Sequence, residues 1–165
     1  MSAASLQAAL EREHHEIDAG IEAFVASLQE GPLGAVELER AIAALRRHIY
    51  LEEEILFPAL AAELAIPTLV MVREHGEIWR TLDALQAQLA GASDPLAMRE
   101  LCARLLAQLE AHNAKEEPIF YTRADAGLDA GESEALRAFL AQGSIPAGWI
   151  CQALRPGGPP VAQLS

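Results

Sequence analysis

The sequence predicts an all-α fold: an up-down-up-down four-helix bundle with a short fifth helix and a C-terminal tail. Three observations predict it. Ala and Leu dominate a composition that is 52% hydrophobic but only 5% aromatic, a balance that favours helices over strands. Four stretches of roughly 25 to 30 residues carry apolar residues at alternating steps of three and four, the seam of a helix packed in a bundle. Two phrases also occur twice, in alternation. "REHHEI" (Arg12 to Ile17) returns as "REHGEI" (Arg73 to Ile78), and "HIYLEEEILFP" (His48 to Pro58) returns as "HNAKEEPIFYT" (His112 to Thr122). That order describes two similar helical hairpins related by a pseudo-twofold, whose matching residues meet at the bundle centre.

In the first helix the seam is Leu10, Ile17, Ile21, Phe24 and Leu28. His14 fills its one gap, and His15 is turned about 100° away towards the surface. The helix ends at "EGPLG", where Gly31 suits a left-handed cap and Pro32 blocks continuation. The second helix is expected from about Gly34 to Glu63, with Ala41, Leu45, His48, Glu52, Ile55 and Ala59 facing inward and Pro58 kinking it or marking its last turns. "AIPT" at 65–68 reads as a break, with Pro67 in the first turn of the next helix. That third helix shows Leu69, Val72, His75, Ile78 or Trp79, Leu82, Leu85 and Leu89, and stops at "GASDP". Asp94 then caps a fourth helix that has Pro95 at its first position. Its seam is Met98, Leu101, Leu105, Gln108 or Leu109, His112, Glu116 and Ile119. Residues 1–126 thus form the bundle. Residues 127–165 form a short helix, about Glu132 to Gln142, and a Gly/Pro-rich tail. Trp149, Ile150 and Leu154 are expected to pack on the bundle, and the last eight residues to be loose.

The formal net charge is −12 and no basic run occurs, which argues against nucleic acid or an anionic membrane surface as partner. No apolar run approaches the roughly 20 residues of a membrane span. "MSAASLQAALEREHH" lacks the basic-then-apolar order of a signal peptide. Cys102 reads as a small core residue and Cys151 as a free thiol in the tail; two cysteines do not make a disulfide framework. A cytoplasmic protein is expected.

Four of the five histidines, His14, His48, His75 and His112, lie on the inner seams of four different helices. Two carry a glutamate four residues on, as His48–Glu52 and His112–Glu116. That spacing puts both side chains on one helix face, one turn apart, within reach of one metal centre. Any one seam histidine is more often a hydrogen-bonded core residue. Six such groups in one narrow bundle would be strongly destabilising unless a positive charge held them. Imidazole with carboxylate suits iron, manganese or zinc better than calcium or magnesium. Glu53, Glu54 and Glu117 fall off the seam and are expected at the surface or behind the ligands. Glu13 and Glu74 are expected to face solvent. Only Glu11–His14 has the Glu-x-x-His spacing of ferritin-type sites, and neither a zinc-protease motif nor a phosphate loop occurs.

A histidine, then His-x-x-x-Glu, then a histidine, then His-x-x-x-Glu on successive helices resembles the hemerythrin-like family, the HHE cation-binding domain, over about residues 5 to 125. The resemblance implies a non-haem di-iron centre. Glu52 and Glu116 would bridge the irons, His14 and His48 would bind one and His75 and His112 the other, with an oxo or hydroxo group completing the bridge; zinc or manganese could substitute. Oxygen-carrying members have a further histidine four residues after the helix-three histidine, where this chain has Trp79. That departure implies a more symmetric, more open centre, with Trp79 as pocket wall or core residue. Glu116 at plus four is similar to the bacterial four-histidine subgroup, which includes iron-centre repair proteins and nitric-oxide-handling proteins.

Three readings share these ligands. In the leading one, the centre binds or reduces dioxygen, nitric oxide or a peroxide, served by an electron donor if it turns over. In the second, the domain senses metal or redox state and the tail "IPAGWICQAL" reports it. The third is iron storage or transfer. A homodimer is left open, although no exposed apolar face marks one.

Overall fold

The computed structural model of the chain describes residues 4–29 and 34–158. Four long helical rods carry the fold. The first is α1 (Leu6–Ser27). The second is α2 (Ala35–Leu51), which runs through a π-helical turn (Glu52–Leu56) into α3 (Phe57–Leu60). The third is α4 (Ala65–Ala90). The fourth is α5 (Pro95–Glu116), which runs through a second π-helical turn (Glu117–Tyr121) into α6 (Thr122–Gly127). α7 (Ala130–Gln142) and a single 3-10 turn (Gln152–Leu154) come last. α1 packs along α2 and α4 along α5, the two hairpins of the repeat. Gly20 allows the first of these close approaches, because a Cβ there would lie 3.3 Å from Ala41 Cβ.

Helix ends follow local chemistry. Asp94 accepts the Leu96 N–H at 3.1 Å with Pro95 in the first turn, as expected. Asp129 and Glu132 form a capping box for α7, which starts two residues earlier than the sequence suggests. Asp125 of α6 accepts the Leu6 N–H at 2.8 Å and so caps α1 from across the bundle. The break before α4 falls at 61–64 rather than 65–68, with Pro67 already in the helix's first turn. The helix stop expected at Gly31 and Pro32, and residues 159–165 of the tail, lie outside the described residues.

The two π turns overturn part of the expected seams. Each spends one extra residue in a turn, which rotates everything beyond it by about 100°. After Glu52 the inward face is therefore Leu56, Phe57 and Leu60, while Ile55 and Ala59 are only half-buried. After Glu116 it is Phe120 and Tyr121, not Ile119. Leu69 is exposed at the bundle's end, and Ile78 and Trp79 are both buried. In the tail Trp149 and Leu154 pack on the bundle, but Ile150 points outward and Cys151 is fully buried.

Two apolar layers result, one centred on Ile21, Leu45, Leu82 and Leu105, the other on Leu10, Leu56, Met71, Phe120 and Leu136. Between them lies a single polar layer. Among the described residues no helix is long and apolar enough to cross a membrane.

Candidate metal centre

The polar layer consists of His14, His48, Glu52, His75, His112 and Glu116, all buried. They gather into two groups that share both glutamates: His14, His48, Glu52 and Glu116 on one side, and Glu52, His75, His112 and Glu116 on the other. Within each group one potential ligand atom per residue lies within 4.8 Å of all the others. Glu52 spans the pair, with Oε1 2.7 Å from His48 Nε2 and Oε2 3.2 Å from His75 Nε2. Glu116 Oε2 lies 3.5 Å from His14 Nε2 and 3.4 Å from His112 Nε2. All six sequence-derived candidates are thus brought together.

Four more carboxylates hold the histidines from behind. His48 Nδ1 lies 2.7 Å from Glu13, His75 Nδ1 2.9 Å from Glu53, His112 Nδ1 2.9 Å from Glu74 and His14 Nδ1 3.0 Å from Glu117. Each rod therefore sends a carboxylate to the histidine of the next rod, and the last closes onto the first. An Nδ1–H donating to a carboxylate fixes the tautomer and turns the Nε2 lone pair inward, where a metal would take it. Glu13 and Glu74 do not face solvent as expected. Each is off its own helix's seam, but its carboxylate crosses to the neighbouring helix. The signal was present: both immediately precede repeat-related histidines, as Glu53 and Glu117 both come directly after repeat-related glutamates. Glu54 and His15 are exposed, as expected.

The electrostatics describe a cation site. Burial alone would lower the His48 pKa, but Glu52 and Glu13 overcome it and push it up to about 10. Burial acts likewise on His112, and Glu116 leads the carboxylates that raise it to about 10. Burial would raise Glu52, yet His48 and His75 hold it well below the usual carboxylate range. For Glu116 burial and the Glu52 charge both push upward, and His112 and His14 reverse them. Without metal, protons on imidazole supply the positive charge that the carboxylates require. His75 Nε2 and both oxygens of Glu116 still have no hydrogen-bond partner although buried. His75 Nε2 is near Glu52 but outside hydrogen-bonding geometry. Orphaned inward-facing nitrogen and carboxylate atoms are what a bound metal would satisfy.

Tyr121 was not found from the sequence. Its hydroxyl donates to Glu52 Oε1 at 2.5 Å and lies 2.7 Å from His14 Nε2 and 2.8 Å from His48 Nε2. Burial, then the Glu116 and Glu52 charges, raise its pKa well above the usual phenol value, so it is a neutral donor here. Its repeat counterpart is Phe57, whose ring stacks on His75 at 5.6 Å, 13° from parallel. The expected symmetry therefore holds for histidines and glutamates and fails at this one hydroxyl.

A small cavity beside the centre is lined by the four histidines, Glu52, Asp18 and Asn113. At about 10 Å³ it holds on the order of one water. Asp18 Oδ1 and Asn113 Oδ1 are buried there without partners. Trp79 does not line it; the indole packs edge-on against Trp149 at 5.6 Å and under the Arg46 guanidinium at 4.8 Å.

The family model for the hemerythrin HHE cation binding domain matches residues 5–124. No curated protein and no solved structure matches the chain. With the family match spanning the four rods, and a buried His/Glu cluster able to hold metal at their centre, the chain belongs to the hemerythrin HHE cation-binding domain family.

Proposed function

We propose that this protein carries a non-haem di-iron centre that binds or reduces a small ligand: dioxygen, nitric oxide or a peroxide. The observation that carries the reading is the convergence of four imidazole Nε2 atoms on two shared carboxylates, each imidazole backed by its own carboxylate. In this reading His14 and His48 would hold one metal and His75 and His112 the other, with Glu52 and Glu116, which belong to both groups, shared between them. The donor set of nitrogens and carboxylates suits iron, with manganese or zinc as substitutes. An iron pair held there would offer open coordination positions for a small ligand and, once reduced, electrons for its reduction.

The chain's own residues do the rest. Glu13, Glu53, Glu74 and Glu117 orient the imidazoles and strengthen their donation. The two apolar layers exclude bulk water, which restricts entry to small molecules. Tyr121 Oη sits at ligand-to-ligand distance from His14, His48 and Glu52, placed to complete the donor set on that side or to hold a proton beside it. Asp18 and Asn113 line the cavity where a ligand would enter.

The test is to reduce the iron-loaded protein without air and titrate it with nitric oxide, dioxygen and hydrogen peroxide while recording visible absorption. A saturable spectral change with at least one is expected. No change with any of the three would overturn small-ligand chemistry and leave a metal-holding or sensing module. The sensing alternative has one observation in its favour, a tail contact with a carboxylate of the centre.

A further inference from the structure

The segment after α7 closes over one of the four backing carboxylates. Glu53 is 1% exposed, with Oε1 on His75 Nδ1 at 2.9 Å and Oε2 accepting the backbone N–H of Gln152 at 2.8 Å. The Gln152 side-chain amide also reaches the Glu53 carbonyl at 3.4 Å. That carbonyl is free because the π turn sends the Phe57 N–H to Glu52, and Pro58, next in the ladder, has no N–H to give. Among the described residues its repeat counterpart Glu117 receives no hydrogen bond from the tail, and its side chain is 33% exposed.

The segment is anchored independently of this contact. Trp149 Nε1 donates to Glu54 at 2.9 Å and Arg155 donates to the same carboxylate at 3.1 Å. The Trp149 ring stands edge-on to Tyr50 at 5.0 Å and to Trp79 at 5.6 Å. Cys151, between these anchors, is fully buried. A buried carboxylate with one oxygen unpaired is costly, so the Gln152 N–H completes the hydrogen bonding that fixes Glu53 beneath His75.

We propose that the docked tail, through the Gln152 N–H, is a positioning element for His75, so that metal affinity on the His75/His112 side depends on tail docking. Coupling of this kind is reciprocal: metal on that side tightens the tail by the same factor. The inference rests on the two-metal reading above and gives the tail a specific wire into one half of the centre.

Gln152→Pro removes the donor with little backbone change, because Cys151 at φ −60°, ψ 152° already has the conformation that precedes a proline. Gln152→Ala keeps the N–H and is the control. The full-length protein is titrated with cobalt(II), whose visible bands report each ion bound. Wild type and Gln152→Ala should bind two ions alike. Gln152→Pro should weaken one of them about 10- to 100-fold, the one also lost in His112→Ala, and leave the other unchanged. Cobalt should also slow chymotryptic cleavage after Trp149 in wild type and in Gln152→Ala but not in Gln152→Pro. Two ions in wild type with unchanged binding in Gln152→Pro would overturn this inference alone. Equal weakening of both ions would overturn it too, since a merely structural role predicts that. A wild type that takes up no cobalt would overturn the two-metal reading and the inference with it. Should Gln152→Pro not fold, Glu54→Ala, which frees Trp149 and Arg155 without touching Gln152 or a histidine, carries the same test with a smaller loss on the same side.

Discussion

One side of the centre is His14 and His48 with the Tyr121 hydroxyl against both; the other is His75 and His112, with Phe57 stacked on His75. Both sides use repeat-related residues, the same two shared glutamates and the same pattern of backing carboxylates. They differ in a hydroxyl on one side and a docked tail on the other. The repeat thus builds a symmetric container, and two departures from it give the container a direction. A phenol that can donate a proton faces one position. The other is apolar on that flank and is held by a carboxylate that the tail controls.

The largest expected effect removes what the halves share. Glu52→Ala should abolish metal uptake on both sides and destabilise the metal-free bundle by about 3–5 kcal/mol, because it strands buried His48 and His75. Metal analysis and urea unfolding read both; one metal retained at full affinity would show that the halves do not share Glu52.

Next is pH. His48 and His112 rise from 6.5 to about 10 in the metal-free fold, so their stabilisation is complete below 6.5 and drains as pH climbs towards 10. Glu13, Glu52, Glu74 and Glu116 are lowered from 4.5, so theirs is present above 4.5 and is lost as pH falls below it. The metal-free urea midpoint should therefore peak between these limits. Metal uptake should release protons and tighten as pH rises, as a titration in weak buffer with a pH indicator would record. A midpoint flat from acid to alkaline pH would contradict the proton-filled site.

The backing carboxylates sharpen the comparison further. Glu53→Gln should weaken the His75 side about 10- to 100-fold in metal affinity, and Glu117→Gln should weaken the His14 side by less, since Glu117 is partly solvated. Isothermal titration of both variants with manganese(II) decides it; equal losses would mean burial and the tail add nothing. The smallest change in stability, about 0.5–1.5 kcal/mol, is expected for Tyr121→Phe, which removes the hydroxyl difference and leaves the tail as the one that remains. That variant should keep both metals while losing any phenolate absorption from the ferric protein. An unchanged spectrum would confine Tyr121 to hydrogen bonding.

The six central residues were legible because histidine and glutamate at a spacing of four leave little freedom on a helix, and because the phrase is repeated. The bundle, the Asp94 cap and the short fifth helix were legible from period and capping chemistry. Tyr121 and Phe57 were not, because a straight 3.6-residue period carried past Glu52 and Glu116 points to Ile55 and Ile119. Nothing local in either stretch announces the extra residue of a π turn. Glu13 and Glu74 were misjudged for another reason: a helix seam says where a side chain leaves its own helix, not whether it reaches the next one.

The most direct measurement is the metal content per chain of protein produced with iron available, recorded with its visible spectrum. Two irons per chain, with charge-transfer bands of a bridged ferric pair, are the predicted result. No metal, or a single weakly held ion, would contradict the two-half centre and leave the histidines as a buried, proton-filled polar layer.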